Sequence, residues 1–91
     1  MRLQVGQLVL SSQGRDADRP YLVISIVDEC YVLVSDGSYR PLSKPKMKNN
    51  KHLSLVQKFA SQSVINRVKN KKATDEEVRA ELDRLMNVKE G

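Results

Sequence analysis

The sequence predicts a mainly β domain, a small closed barrel of five short strands followed by a pair of short α-helices. Two observations favour this fold class. Short runs of β-branched and aliphatic residues recur at spacings of roughly 8–12 residues with turn signals between them, which is typical of small sandwiches and barrels. The last third of the chain changes to the apolar period of a helix. The length of 91 residues is enough for one domain.

The strands are assigned from apolar runs that end at turn residues. They are expected at 5–10, 21–27, 31–34, 38–42 and 52–56. Pro20 marks the start of the second strand because it cannot donate to a ladder. Asp36-Gly37 predicts a tight hairpin, since glycine accepts the positive φ of a type I′ turn. Residues 43–50 are too basic and too rich in proline for a buried strand. Closure into a barrel would remove the free edges.

The two helices are assigned from a cap and from apolar spacing. Thr74 with Glu77 three residues later forms a capping box. One apolar face follows it, made of Val78, Leu82, Leu85 and Met86. A shorter helix begins at Ser61 or Ser63 and presents Val64, Ile65 and Val68. Neither helix can bury its face alone. We therefore predict that residues 58–91 pack as a helical extension on a barrel of residues 1–57, which includes the basic segment 40–52.

The positive charge lies in one block of the chain. The net charge is +5, but residues 1–40 carry −1, residues 41–72 carry +9 and residues 73–91 carry −3. Residues 41–72 contain nine lysines and arginines and no acid. A concentrated excess of this kind predicts a polyanionic partner.

Several other classes of protein are disfavoured. The one cysteine, Cys30, excludes a disulfide scaffold and fits a reducing, cytoplasmic location. No apolar run is long enough to span a bilayer, and the N-terminus lacks the apolar region of a signal peptide. The glycines lack the spacing of phosphate-binding loops. Cys30 and His52 are the one conceivable nucleophile–base pair, but the chain is predicted to be no enzyme and to have no catalytic residue, cofactor, metal or small-molecule substrate.

The basic segment 40–52 is the predicted site. Lys44, Lys46 and Lys48 alternate, so an extended backbone would project all three from one side at roughly 6.5–7 Å, close to the spacing of successive phosphates. The neighbouring amide and imidazole groups can address phosphates, hydroxyls or bases. The predicted RNA-binding residues are Arg40, Lys44, Lys46, Lys48, Asn49, Asn50, Lys51 and His52. The alternative is a solvated basic loop.

Two further features allow two interpretations. The three tyrosines, at 21, 31 and 39, could stack on bases, but packing in strands is favoured. Gly14-Arg15-Asp16 could be a turn with an RNA-contacting arginine or a turn with an internal Arg–Asp pair.

The ordered motifs resemble a KOW module. They are Val5-Gly6-Gln7-Leu8-Val9-Leu10-Ser11 with Gly14-Arg15-Asp16, then Tyr21-Leu22-Val23-Ile24, Tyr31-Val32-Leu33-Val34 and Asp36-Gly37. Arg40-Pro41-Leu42, Pro45-Lys46, Lys48-Asn49 and Lys51-His52-Leu53 continue the likeness, as does Thr74-Asp75-Glu76-Glu77-Val78-Arg79. The chain is most similar to bacterial KOW-domain RNA-binding proteins related to the large-subunit ribosomal protein family fourteen-e.

This resemblance implies an SH3-like barrel that binds RNA on or near the ribosome. The implied partners are RNA, ribosomal RNA first, and ribosomal proteins. It also adds Arg15 to the predicted RNA-facing residues. The family has a second glycine in the turn after Gly-Arg-Asp, where this chain has Asp18, a residue type that tolerates left-handed backbone. The alternative function is an SH3-like protein-interaction module that does not bind RNA.

Overall fold

The computed structural model describes residues 2–12 and 17–87 of the chain. Five strands come first: β1 (Gln7–Ser11), β2 (Pro20–Ile26), β3 (Tyr31–Ser35), β4 (Lys46–Asn49) and β5 (Leu53–Phe59). A 3₁₀ turn, Asn50–His52, joins β4 to β5. Two helices follow, α1 (Gln62–Lys69) and α2 (Asp75–Met86). Neither described helix has the length and apolar character needed to cross a bilayer.

The five strands form one antiparallel sheet in the order β4-β3-β2-β1-β5. β1 to β4 make a meander, and β5 returns to pair with β1. The prediction of a mainly β chain followed by two helices is confirmed. The prediction of a closed barrel is wrong for the described residues, because β4 and β5 remain the two edges of an open sheet.

The open sheet is nevertheless strongly coiled. In a flat sheet, four strand spacings would separate β4 from β5 by about 19 Å. The chain has only the 3₁₀ turn to cover that distance, and the steps from Asn49 to Leu53 reach at most about 14 Å. The Lys48 Nζ on β4 also donates to the Ser11 Oγ on β1 at 3.3 Å, across two intervening strands. The two edges therefore approach each other around an inner face.

Strand alternation gives the sheet two apolar faces, and each has its own core. The inner face buries Val9, Tyr21, Val23, Val32 and Val34. The outer face carries Leu8 and Leu22, which pack against the helices through Val64, Val68, Val78, Leu82 and Leu85. Removing aliphatic surface of this kind from water stabilises the fold by about 25 cal/mol per Å². The two helices are thus held on the sheet by their apolar faces.

The capping box of α2 is confirmed. The Thr74 side chain accepts from the Glu77 N–H at 3.2 Å, and the Glu77 carboxylate accepts from the Thr74 N–H at 3.0 Å. Ser61 is the N-cap residue of α1. The predicted apolar face of α2 differs at its end, where Met86 is 45% exposed. Glu81 is buried although it is acidic. Its burial is tolerated because its carboxylate accepts from the Ser61 N–H and from Arg84.

The connection between β3 and β4 is the main error in the strand assignment. Residues 38–42 form no strand and belong to a loop over residues 36–45. Asp36 organises this loop, since its carboxylate accepts from the N–H groups of Ser38 and Arg40. Gly37 has the expected positive φ of +74°. β4 forms instead within the basic segment, where lysines are tolerated because this is an edge strand.

Candidate nucleic-acid interface

Antiparallel pairing gathers several predicted residues at one end of the sheet. β1 and β3 finish at this end, and β2, β4 and β5 begin there. The loop before β2, the 36–45 loop and the end of the 3₁₀ turn therefore meet. We call this the basic end and define it by Arg19, Arg40, Lys44, Lys51 and His52.

The 36–45 loop presents two of these cations to solvent. Arg40 and Lys44 are both exposed, while their backbones are fixed. The Arg40 carbonyl accepts from the Ser35 hydroxyl at 2.7 Å and from the Asp36 N–H at 3.1 Å. The Lys44 N–H donates to the Pro41 carbonyl at 2.9 Å. The loop thus carries exposed charged groups on a hydrogen-bonded backbone.

The 3₁₀ turn presents two more groups. Lys51 and His52 are exposed. The His52 carbonyl accepts from the Ser12 N–H at 2.9 Å, which places the end of this turn beside the end of β1. Lys51 and His52 consequently lie on the segment that bridges the two sheet edges.

The three alternating lysines do not form one exposed row. Lys44 precedes β4, and only Lys46 and Lys48 lie in the strand. They pair in register with Val34 and Val32, so they share the inner face with that core. The Lys48 Nζ lies 6.0 Å from the centroid of the Tyr21 ring. Lys48 is therefore engaged within the protein, and an extended ladder of lysines is wrong for this segment.

Asn49 and Asn50 hold the backbone together where the 3₁₀ turn begins. The Asn49 Oδ1 accepts from the Lys51 N–H at 2.9 Å and caps the 3₁₀ turn. The Asn50 Nδ2 donates to the Glu29 carbonyl at 2.9 Å, and its N–H donates to the Cys30 carbonyl. Both amides are therefore used within the fold, directly before Lys51. Their spacing in sequence did not reveal this structural use.

The loop after β1 carries a predicted residue that cannot be placed. Arg15 lies outside the described residues. Asp18, in the described part of the same loop, has a φ of +68°. Asp18 therefore adopts the left-handed backbone that its residue type tolerates.

An exposed aromatic, Tyr39, lies at the basic end. Tyr39 is 77% exposed in the 36–45 loop, and the Arg19 guanidinium lies 4.8 Å from the centroid of its ring. Arg19 also pairs with Asp36 at 3.6 Å. The prediction that tyrosines pack in the sheet is confirmed for Tyr21, which is 1% exposed, and wrong for Tyr39. Its position two residues after Asp36-Gly37 was the sequence signal for a loop location.

Most exposed cations of the acid-free stretch, residues 41–72, make no ion pair within the described part of the chain. Arg67 is an exception, since it pairs with Glu77 of α2 at 3.1 Å. The Lys58 Nζ donates to the Leu85 carbonyl at 3.3 Å. Among residues 2–12 and 17–87, no ion pair involves the exposed lysines Lys44, Lys51, Lys69, Lys71 and Lys72. These five charges face solvent.

The described residues offer little other chemistry. No cluster of three or more His, Cys, Asp or Glu within them could hold a metal ion. Cys30, expected at a strand start, is exposed in the turn before β3. Neither the protein-family models nor the curated proteins contain a match to this chain.

Proposed function

We propose that this protein binds structured RNA on or near the ribosome, with ribosomal RNA as its first partner. The observation that carries the proposal is that Lys44 and Lys51 of the acid-free stretch are exposed and make no ion pair within residues 2–12 and 17–87. Exposed charges of this kind contribute little to stability, and their electrostatic attraction is available to a polyanion.

The geometry favours phosphate contacts at the basic end. Arg40, Lys44 and Lys51 are exposed on ordered backbone, so little backbone entropy is lost when RNA binds. Five phosphate contacts would give a slope of roughly −3 to −4 for log affinity against log salt concentration. Such contacts position the RNA without reading its sequence.

The Arg19–Tyr39 pair adds a second mode of contact. An exposed ring with a guanidinium over one face leaves its other face open to an unpaired base. Unstacked bases in RNA loops and bulges are recognised on such aromatic and guanidinium planes. We therefore expect the RNA to present at least one unpaired nucleotide beside its phosphates.

The topology supports an SH3-like assignment. The sheet is a coiled meander whose fifth strand returns beside the first, and a single helical turn joins its edges. The described sheet is not closed into the barrel that the resemblance to KOW modules implies, but it has the expected five strands, and the basic end lies on its loops. Loops on a rigid scaffold are common positions for binding residues.

The test compares two double variants that remove the same amount of positive charge. Lys44→Glu with Lys51→Glu alters the basic end, and Lys69→Glu with Lys71→Glu alters the turn after α1. Binding of large-subunit ribosomal RNA is measured by filter binding at several salt concentrations. We expect the first variant to lose about 30-fold or more in affinity and to reduce the salt slope by about 1–2. The second should lose less than about fivefold.

Two outcomes would contradict the proposal. Equal losses in both variants would show a response to net charge without a defined surface. Wild-type affinity that hardly changes between low and moderate salt would exclude the electrostatic mechanism. If the chain is instead a protein-interaction module without RNA binding, it will not bind ribosomal RNA and will not sediment with ribosomal subunits at low salt.

A further inference from the structure

The outer face of the sheet is only partly covered by the helices. Both helices pack on β2, and they leave the outer surface of β3 and β4 open. Leu33 on β3 is half-buried, and its register partner Met47 on β4 is 55% exposed. The apolar sheet surface therefore continues past the point where the helices stop.

A cleft of about 740 Å³ occupies this uncovered part of the outer face. Its floor is aliphatic and includes Ile24, Leu33 and Leu42. Its walls come from the 36–45 loop on one side and from the end of α1 with the following turn on the other. Clefts of roughly 300–1,000 Å³ are large enough to enclose several bulky groups.

The charge at the cleft has one sign. Among the described residues that line the cleft, Lys69 and Lys71 are the charged ones, and none is Asp or Glu. Both lysines are exposed, and neither makes an ion pair within residues 2–12 and 17–87. The cleft therefore combines an apolar floor with a positive rim, and it complements a group that is apolar at its centre and negative at its edges.

The lining favours protein side chains over nucleotides. RNA bases are held by stacking on aromatic rings or arginine planes and by hydrogen bonds to their edges. Among residues 2–12 and 17–87, none that lines this cleft is an aromatic, arginine, asparagine or glutamine, and the short polar side chains of the lining are Ser25 and Ser43. Aliphatic floors of this type instead accept leucine, isoleucine, methionine or phenylalanine anchors.

We propose that the cleft beside Leu33 is a second binding site, which takes an acidic protein segment with large apolar side chains. The apolar side chains enter the cleft, and flanking Asp or Glu residues of the segment pair with Lys69 and Lys71. This inference goes beyond RNA binding, because it concerns a different surface. It makes the protein an adaptor that holds RNA at the basic end and a protein partner on the outer face of the sheet.

The test selects random peptides displayed on phage against the full-length protein. Enriched peptides are synthesised with a fluorescent label, and their affinities are measured by anisotropy. We expect enrichment of peptides that contain both carboxylates and bulky apolar residues. Lys69→Glu with Lys71→Glu should weaken their binding at least tenfold. Ile26→Ser should weaken binding severalfold, since Ile26 lines the cleft yet is 45% exposed and so tolerates the change.

The matched control is Lys44→Glu with Lys51→Glu, which should retain peptide affinity within about twofold although it removes the same charge. Three outcomes would overturn the proposal. They are no enrichment of acidic apolar peptides, equal binding to the wild type and to the Lys69/Lys71 variant, or displacement of the peptide by ribosomal RNA. The last outcome would assign the cleft to RNA. If the wild-type protein binds the peptides but does not bind ribosomal RNA, only the proposed function is rejected.

Discussion

Helix α2 and the acid-free stretch use their charges in opposite ways. On α2, Asp75 accepts from the Leu42 N–H at 2.7 Å, and Arg79 donates to the Gly37 carbonyl. Glu81 accepts from the Ser61 N–H at 2.6 Å. In the acid-free stretch, Lys44 and Lys51 are exposed without an ion pair in the described part of the chain. The charged side chains of α2 therefore join separate segments by hydrogen bonds. The exposed Lys44 and Lys51 make no ion pair that joins described segments.

This difference separates structural charge from functional charge. Net charge alone, +5 for the chain, does not distinguish the two kinds. The contacts do, because a charged group that satisfies a backbone donor contributes to stability, while an exposed one contributes little. The comparison predicts that changes around α2 alter unfolding and leave RNA binding intact, and that changes to the lysines do the reverse.

The largest effect on stability is expected where α2 meets the 36–45 loop. Gly37 has a φ of +74°, and a Cβ there would lie 2.5 Å from the Asp75 carbonyl oxygen. Gly37→Ala should therefore lower the free energy of unfolding by about 3 kcal/mol. Urea denaturation measures this change. The neighbouring Ser38→Ala is the control, and a loss below about 1 kcal/mol for Gly37→Ala would contradict the packing described.

A smaller loss is expected at the one buried carboxylate of α2. Glu81 is 8% exposed. Its carboxylate accepts from the Ser61 N–H and pairs with the Arg84 guanidinium at 3.1 Å. Glu81→Gln keeps the shape but loses the charge-assisted bonds, so unfolding should become easier by about 2 kcal/mol. Affinity for ribosomal RNA should stay within about twofold of wild type. A large drop in RNA affinity for this folded variant would contradict the prediction that changes around α2 leave RNA binding intact.

The effect of Glu81 depends on pH. The hydrogen bond from Arg84 lowers the pKa of Glu81 from its ordinary value of 4.5, against the opposing effect of burial. The ionised carboxylate therefore stabilises the fold at neutral pH, and this contribution disappears as the pH falls through the lowered pKa. The difference in unfolding free energy between wild type and Glu81→Gln should begin to shrink as the pH falls below 4.5 and should be lost below the lowered pKa. A constant difference down to acid pH would disprove the linkage.

The smallest effect on stability is expected from the lysines. Lys44→Ala with Lys51→Ala should change the free energy of unfolding by less than about 0.5 kcal/mol, because both side chains are exposed. The same variant should bind ribosomal RNA several times more weakly. Thermal melts and filter binding on one preparation measure both quantities. A destabilised variant would contradict this prediction, because it would show that these two lysines stabilise the fold.

Local sequence signals were sufficient where one element determines its own conformation. The capping box at Thr74, the positive φ at Gly37 and the apolar stripe of α2 all depend on neighbouring residues. β4 could not be found this way. Its residues, Lys46 to Asn49, look like a solvated loop, and they form a strand because β3 offers an unpaired edge.

The site was predictable in its charge and not in its shape. The exposure of Lys44 and Lys51 followed from the acid-free stretch. The turning of Lys48 toward Ser11 did not, because it depends on the coiling of a sheet whose strands are far apart in sequence. Lys69 and Lys71 became candidate contacts only when the fold set them opposite Leu33. The exposure of Tyr39 likewise could not be predicted, because it depends on a loop at residues 38–42, where the sequence predicts a strand.

The pairing of β5 with β1 constrains how the chain folds. β1 forms one edge of the meander until residues 53–59 return to it, and that contact closes a loop of most of the β region. Such non-local pairing is slow because loop closure must precede its reward. During synthesis, β1 can gain this second partner only after residues 53–59 have left the ribosome. The helices follow β5 in the chain, so the outer core, which includes their apolar residues, can be completed only after them.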